Sequence, residues 1–244
     1  MPHSVRLVVV PARRESTRLP EKLLLAESGR PLLAHTLARC LASRRADRVV
    51  AAVDCEELAA VARAAGAEAV LTDPRLPSGS DRVWAAVAAV PEATHVVNVQ
   101  GDEPELDPAA IDALFEALAG GAEVATLAAP WPRGTDFADP AAVKVVRAAD
   151  GSALYFSRAP IPHPRHPDVV VPLLHLGVYA YTRSALAAFA SSPPSPLERA
   201  EGLEQLRLLE NGTPIQVIEW PRAFPGIDTR ADYEAFLARL TTGS

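Results

Sequence analysis

Apolar and polar positions along the chain keep two different rhythms. Residues 5–10 form a β-branched apolar run, 31–43 repeat their apolar residues at helical spacing, and 48–53 are apolar again, an order of strand, helix and strand. The rhythm continues with a helix over 56–65, a short strand at 68–71, a helix near 81–90, a strand at 95–99 and a helix after Asp107-Pro108. Alternation of this kind builds a mainly parallel sheet covered by helices on both faces.

The second half reads differently. Residues 123–128, 143–147 and 174–181 have the look of strands, but the links between them are rich in proline, which predicts a mixed sheet there. Prolines at 160, 162, 164, 167 and 172 forbid a helix over 158–172 and make it an extended, semi-rigid segment. Helices return at 197–210, closed by Asn211-Gly212, and at 231–240, with a strand at 214–219 between them. Neither an internal repeat nor a linker interrupts the 244 residues, so the expectation is a single α/β domain over 1–244, three layers with a mixed, mainly parallel sheet.

Composition narrows the chemistry. Twenty-four Lys and Arg against thirty Asp and Glu leave a net charge of −6, which supplies no general field for a nucleic acid. The tryptophans at 84, 131 and 220 are too dispersed to form a base-stacking platform. Two cysteines, Cys40 and Cys55, are too few for a disulfide framework, and no apolar run is long enough to span a membrane, so a reducing, cytoplasmic setting is expected. His35 reads as a packed or surface histidine, and His163 and His166 flank Pro164-Arg165 without further metal ligands nearby.

In an open α/β sheet, ligands gather outside the carboxyl ends of the strands. After the first strand, residues 11–22 carry four cations and two anions, including Arg13, Arg18 and Lys22. Such a loop either neutralises a polyphosphate or is a solvated, charge-balanced turn. The absence of a glycine fingerprint after Val10 argues against a nicotinamide site. After the fourth strand, Gln100-Gly101-Asp102 places a carboxylate at the sheet rim, suited to magnesium, which needs only one or two carboxylates beside substrate phosphates. Asp228 either joins it or caps the helix at 231–240. In the 175–181 strand, His175, Gly177, Tyr179 and Tyr181 share a face, which is either architecture or a ligand surface.

These segments together resemble a known family. Val10-Pro11-Ala12-Arg13, Ser16-Thr17-Arg18-Leu19-Pro20 with Lys22, Ser78-Gly79-Ser80-Asp81-Arg82, and Asn98-Val99-Gln100-Gly101-Asp102-Glu103-Pro104 are similar to motifs of the 3-deoxy-manno-octulosonate cytidylyltransferases, the CMP-Kdo synthetases. So are Ala153-Leu154-Tyr155-Phe156-Ser157-Arg158, His175-Leu176-Gly177-Val178-Tyr179-Ala180-Tyr181, Ser195-Pro196-Leu197-Glu198, Leu203-Glu204-Gln205-Leu206-Arg207 and Gly226-Ile227-Asp228-Thr229. They run in family order from about residue 7 to 237.

The resemblance implies a nucleotide-diphospho-sugar transferase type of fold and a magnesium-dependent transfer of CMP from CTP to Kdo, an eight-carbon sugar acid, for lipopolysaccharide or a related envelope glycan. It implies that Arg13, Arg18 and Lys22 bind the triphosphate, that Ser78, Arg82 and Gln100 lie about the cytidine, and that Asp102 and Asp228 hold magnesium. Arg158, Arg165, His175, Tyr179, Glu204 and Gln205 would contact the sugar acid, within a sugar-binding and dimerisation subregion around 150–210, and a homodimer is implied.

Three positions depart from the family pattern. Leu174 stands where a basic residue is usual before the histidine, Arg14 where an aromatic is usual, and Glu21 where a glycine often precedes the loop lysine. Leu174 keeps open another keto sugar acid, such as a sialic acid or amino-Kdo. A nucleotide-binding homologue without catalysis is the alternative of a different class.

Overall fold

The computed structural model describes residues 5–132, 134–163, 165, 166 and 172–242. The chain divides into two compact units, Met1–Asp112 with Phe224–Ser244, and Ala113–Ala223. The first division falls inside a helix, so no linker composition marks it.

In the first unit the strands are β1 (Val5–Ala12), β2 (Arg48–Val53), β3 (Glu68–Leu71) and β4 (Ala93–Asn98), all parallel, in the order β3-β2-β1-β4. Leu7, Val8, Val9 and Val10 of β1 are fully buried, as a central parallel strand requires and as their unbroken apolar run foretells. Three amphipathic helices alternate with these strands: α1 (Leu32–Leu41), α2 (Glu56–Ala64) and α3 (Gly79–Ala88). The next helix, α4 (Pro108–Ala119), begins in this unit. His35 is buried on α1, edge-on to the Phe236 ring at 5.1 Å.

The second unit is mixed, as expected. Its central strand β5 (Val124–Pro130) pairs antiparallel with β8 (Leu173–Thr182) and parallel with β9 (Ile215–Glu219). Between β5 and β8 in sequence, β6 (Lys144–Arg147) and β7 (Ala153–Ser157) form an antiparallel pair, and β6 also pairs with β8. The strand β7 and the helix α5 (Arg183–Ser191) are not in the sequence reading. Leu154 points outward at 62% exposure, which hides the strand's alternation, and α5 follows β8 directly with only its Thr182 cap to separate them.

The single helix expected over 197–210 is two, α6 (Pro196–Glu201) and α7 (Leu206–Glu210). Ser195 and Glu198 form a capping box that starts α6, and Gly202, at φ +63°, ends it in a left-handed turn. The last helix, α8 (Arg230–Thr242), belongs to the first unit. Among the described residues no helix is long and apolar enough to cross a membrane.

Candidate active site

The loop that follows β1 is pinned at its far end by a short 3₁₀ turn over Lys22–Leu24, whose Leu23 is buried. Gly101 lies against this turn so closely that a Cβ would come within 3.2 Å of the Pro11 carbonyl and 3.3 Å of Leu23. Any larger residue would have to push the end of β1 or the Lys22 turn away by a few tenths of an ångström, so glycine suits this close approach of the rim loop after β4. Thr36 on α1 donates its hydroxyl to the Gly101 carbonyl at 2.9 Å and fixes the same loop from beneath. Asp102 follows.

Lys22 Nζ donates to Asp102 Oδ2 at 2.5 Å, to Asp228 Oδ1 at 3.1 Å and to the Ile227 carbonyl at 2.7 Å. Arg18 Nη2 lies 2.9 Å from the same Asp228 oxygen. Residues 18, 22, 102 and 228 thus meet in one cluster, although more than two hundred positions separate its extremes. The reading of Asp228 as a helix cap gives way here: Thr229 and Asp232 cap α8 reciprocally, Asp232 Oδ2 accepting from the Asp228 and Thr229 amides and Thr229 Oγ1 from the Asp232 amide. A backbone bond from Ile227 N–H to the Asp102 carbonyl, 2.9 Å, sews the two acidic segments together.

Two carboxylates held within hydrogen-bond reach of a single ammonium form a site that already accommodates one positive charge. Hard oxygen donors of this kind suit magnesium, which takes the remainder of its shell from phosphate and water. Asp102 and Asp228 therefore fit the metal implied by the resemblance. Beside them, burial and then the Asp102 charge push the Glu103 carboxyl up to about 8, and its Oε2 is buried without a hydrogen-bond partner among the described residues.

The other nucleotide candidates lie on the same unit. Ser78 caps α3 by accepting the Asp81 amide at 3.2 Å, and the Gln100 amide oxygen would stand 3.9 Å from a Cβ at Gly79, so Gln100 lies against the start of α3. Arg82 is buried, its guanidinium donating to Thr72 Oγ1, which makes it a tie within the unit. Arg13 is exposed immediately beyond β1. The two departures in this segment find each other: Arg14 donates to Glu21 through Nε at 2.9 Å and Nη2 at 2.7 Å.

In the second unit the sugar candidates are set along an aromatic ladder. Phe156, His175, Tyr179, Tyr181 and Phe189 follow one another with ring centroids 4.9, 5.3, 5.9 and 6.2 Å apart, so His175, Tyr179 and Tyr181 do share a face of β8. Burial drives His175 down to about 3, which keeps its ring neutral, and its Nε2 is 3.1 Å from Thr126 Oγ1. Burial also raises the Tyr179 phenol, with Tyr181 and Glu204 adding to the effect and the neighbouring Thr126 hydroxyl opposing it. The Tyr179 hydroxyl and the Gln205 side-chain nitrogen are buried without a hydrogen-bond partner among the described residues. Thr126, directly across from Tyr179, gives its own proton to the Val178 carbonyl at 2.8 Å.

Arg158 is occupied differently from a free anion ligand. Its Nε donates to the Glu201 carbonyl at 2.7 Å, Nη1 to the Pro140 carbonyl at 2.8 Å and Nη2 to the Gly202 carbonyl at 3.3 Å. Arg165 is exposed, and its amide donates to the His163 carbonyl at 2.8 Å. Residues 167–171 of the proline-rich segment lie outside the described residues. Lys144 and Glu201 were absent from the sequence reading. Lys144 is fully buried, with Nζ donating to the Asp139 and Arg158 carbonyls at 2.7 and 2.9 Å, and Glu201 accepts from Ser157 Oγ at 2.6 Å and the Arg158 amide at 3.0 Å. A lysine inside the apolar 143–147 run was the signal for the first.

Comparison with known proteins shows the family. The family model described as cytidylyltransferase matches residues 7–217. The chain belongs to the cytidylyltransferase family. A 3-deoxy-manno-octulosonate cytidylyltransferase of Rhodospirillum centenum is 49% identical over 96% of this chain and 93% of its own length. One of Anaeromyxobacter dehalogenans is 45% identical over 97% and 98%. Among solved structures, CMP:2-keto-3-deoxy-manno-octonic acid synthetase complexed with CTP matches 99% of this chain and all of its own, with a TM-score of 0.94 and 37% identity. The mixed, mainly parallel α/β class of the family is that of this chain. A 4-diphosphocytidyl-2C-methyl-D-erythritol synthase from Anaerococcus prevotii, 12% identical over 98% of this chain and 99% of its own at a TM-score of 0.67, shares the fold alone.

Proposed function

We propose that this cytidylyltransferase couples CTP to 3-deoxy-D-manno-octulosonate, releasing pyrophosphate and giving CMP-Kdo. The observation that carries the reading is the similarity, over nearly the whole chain, to proteins named for this transfer. The cluster of Arg18, Lys22, Asp102 and Asp228 and the orphaned hydroxyl of Tyr179 support it.

In this reaction the anomeric oxygen of the sugar attacks the α-phosphorus of CTP and gives up its proton to solvent, the bond from that phosphorus to the bridging oxygen breaks, and pyrophosphate leaves with the electron pair. No covalent intermediate with the protein is needed. Holding two substrates in line is worth about 7–11 kcal/mol, so positioning outweighs any single acid or base. Lys22 and Arg18 place fixed positive charge where the triphosphate accumulates negative charge on leaving. Asp102 and Asp228 would hold magnesium, which supplies Lewis acidity toward phosphate oxygens when bound. The neutral His175 and the Tyr179 and Gln205 groups offer hydrogen bonds, not charge, and so suit the hydroxyls of the sugar. Arg158 shapes the same region through the carbonyls of Pro140, Glu201 and Gly202.

The product would feed lipopolysaccharide or a related envelope glycan, with the enzyme working in the cytoplasm as a homodimer. Pyrophosphate release from CTP with magnesium, measured across Kdo, an amino-Kdo and a sialic acid, tests the reading. Turnover is expected with Kdo above the others. Strong turnover with another acid and none with Kdo would transfer the assignment to that sugar, as Leu174 allows. Tight CTP binding without pyrophosphate from any acid would make the chain a binding protein.

A further inference from the structure

Arg14 makes contacts that the transfer chemistry does not use. Its amide donates to both oxygens of Asp54 at 3.0 and 3.2 Å, its Nε and Nη2 hold Glu21 Oε1, and its Nη1 lies 3.3 Å from Glu57 Oε2. Asp54 and Glu57 stand at the end of β2 and the first turn of α2. One arginine therefore fastens the loop after β1 to a neighbouring strand-to-helix turn and, seven residues on, to its own far end.

Glu21 is the residue that needs fastening. It holds a left-handed backbone at φ +52° and ψ 26°, alone among the described non-glycine residues. A side chain disfavours this conformation, which glycine adopts freely. Its carboxylate also sits one residue before Lys22, where an incoming triphosphate would be repelled. The left-handed turn nevertheless starts the 3₁₀ turn that aims Lys22 at Asp102 and Asp228: the Leu24 amide bonds the Glu21 carbonyl at 2.8 Å and the Leu25 amide the Lys22 carbonyl at 3.2 Å.

We infer that the Arg14–Glu21 ion pair is a positioning clasp for the nucleotide loop: it holds the left-handed turn that presents Lys22 and cancels a negative charge that would otherwise oppose the triphosphate. The inference rests on the reading of Lys22 as a CTP ligand. Arg14 and Glu21 act through Lys22 and touch no reacting atom.

A double-mutant cycle tests it, with CTP as the probe in calorimetry and CTP with Kdo in turnover. Arg14→Ala is expected to raise both Kd and KM for CTP about fivefold, the upper end for an exposed ion pair, with kcat and melting temperature unchanged. Arg14→Lys recovers part of the loss by restoring the charge. Glu21→Gly alone stays within about twofold of the wild type, and Arg14→Ala with Glu21→Gly returns to that level, because neither the strained residue nor its charge remains to be answered. Wild-type CTP affinity in Arg14→Ala would overturn the clasp. So would a double variant as weak as Arg14→Ala, since Arg14 would then act on the nucleotide directly. A wild type that binds CTP but turns over no Kdo would refute the function proposed above and leave the calorimetric cycle to decide the clasp.

Discussion

The two groups of candidate residues are built on opposite physical plans. In the first unit charge meets charge at the water's edge: Asp228 is 46% exposed and Arg18 66%, while Lys22, only 11% exposed, shares its protons between two carboxylates. In the second unit His175, Tyr179 and Gln205 are neutral and largely enclosed, the first two among rings, and two of these polar atoms have no partner among the described residues, while Arg158, Arg165 and Glu204 lie nearer water. Exposed charges exchange partners at little cost, because each has water or a neighbouring ion to turn to. Such a cluster suits a polyanion and weakens with salt. A buried hydroxyl without a partner has already lost its water, so a ligand that supplies the missing hydrogen bond gains nearly its whole strength. That plan suits a polyhydroxyl molecule and is insensitive to salt.

The contrast breaks most visibly at the acidic end of the first plan. Asp102→Asn keeps the shape and an oxygen for Lys22 but removes the charge that a metal requires. Pyrophosphate release from CTP and Kdo should fall by roughly 10²–10³-fold, the usual loss for a group that stabilises transition-state charge. The melting temperature should nearly hold, because the Asp102 carboxylate, 26% exposed at the sheet rim, packs against no apolar core and Asn keeps its shape. Turnover within twofold of the wild type would remove Asp102 from the site.

On the second plan the expected effect is smaller and splits differently. Tyr179→Phe deletes a hydroxyl that has Thr126 beside it but makes no well-formed hydrogen bond among the described residues, so stability should stay nearly level. The KM for Kdo should rise about three- to tenfold, the worth of one hydrogen bond, with the KM for CTP unchanged. Lower stability with unchanged Kdo dependence would make the hydroxyl a structural group and erase the contrast.

How far the sequence revealed this division depends on the range of the interactions. The parallel strands of the first unit were legible because buried parallel strands are written as unbroken apolar runs, Leu7–Val10 being the plainest. Lys22 and Asp102 were legible as candidates because ligands of an open α/β sheet gather beyond the strand ends, although a solvated, charge-balanced turn stayed open for the loop of Lys22. Asp228 was ambiguous only while Thr229-x-x-Asp232 went unread as the true cap of α8, although that spacing was present in the chain. The three carbonyls on Arg158 were out of reach, since they come from residues 18 to 44 positions away and a carbonyl leaves no mark in side-chain pattern. The left-handed backbone at Glu21 leaves no mark in the residue itself, and only the glycine usual at that position in the similar family hinted at it.

The smallest effect concerns pH and comes from the same burial that orders the aromatic ladder. His175 titrates near 3 in the folded chain against 6.5 when exposed, so between those values the unfolded state binds a proton that the folded state refuses. Stability from this group is full above pH 6.5 and is lost as the pH falls toward 3. His35, held near 4 by burial and by Arg30, acts in the same direction. Glu103, held near 8, acts oppositely, since above 4.5 the folded state keeps a proton that the unfolded state gives up. Because His35 and Glu103 are common to both proteins, comparing His175→Gln with the wild type isolates this half-buried ring. Between pH 6 and 5, urea unfolding should show the wild type losing about 1 kcal/mol more than the variant, somewhat under the ~1.4 kcal/mol that one full proton per pH unit allows. Carboxylates paired with arginine, such as Glu27 and Asp47, titrate below this window and do not disturb it. Equal slopes in the two proteins would mean that the ring is open to water and protons. The second unit would then present a charged histidine, and its affinity for Kdo, like that of the first unit for CTP, should fall with added salt.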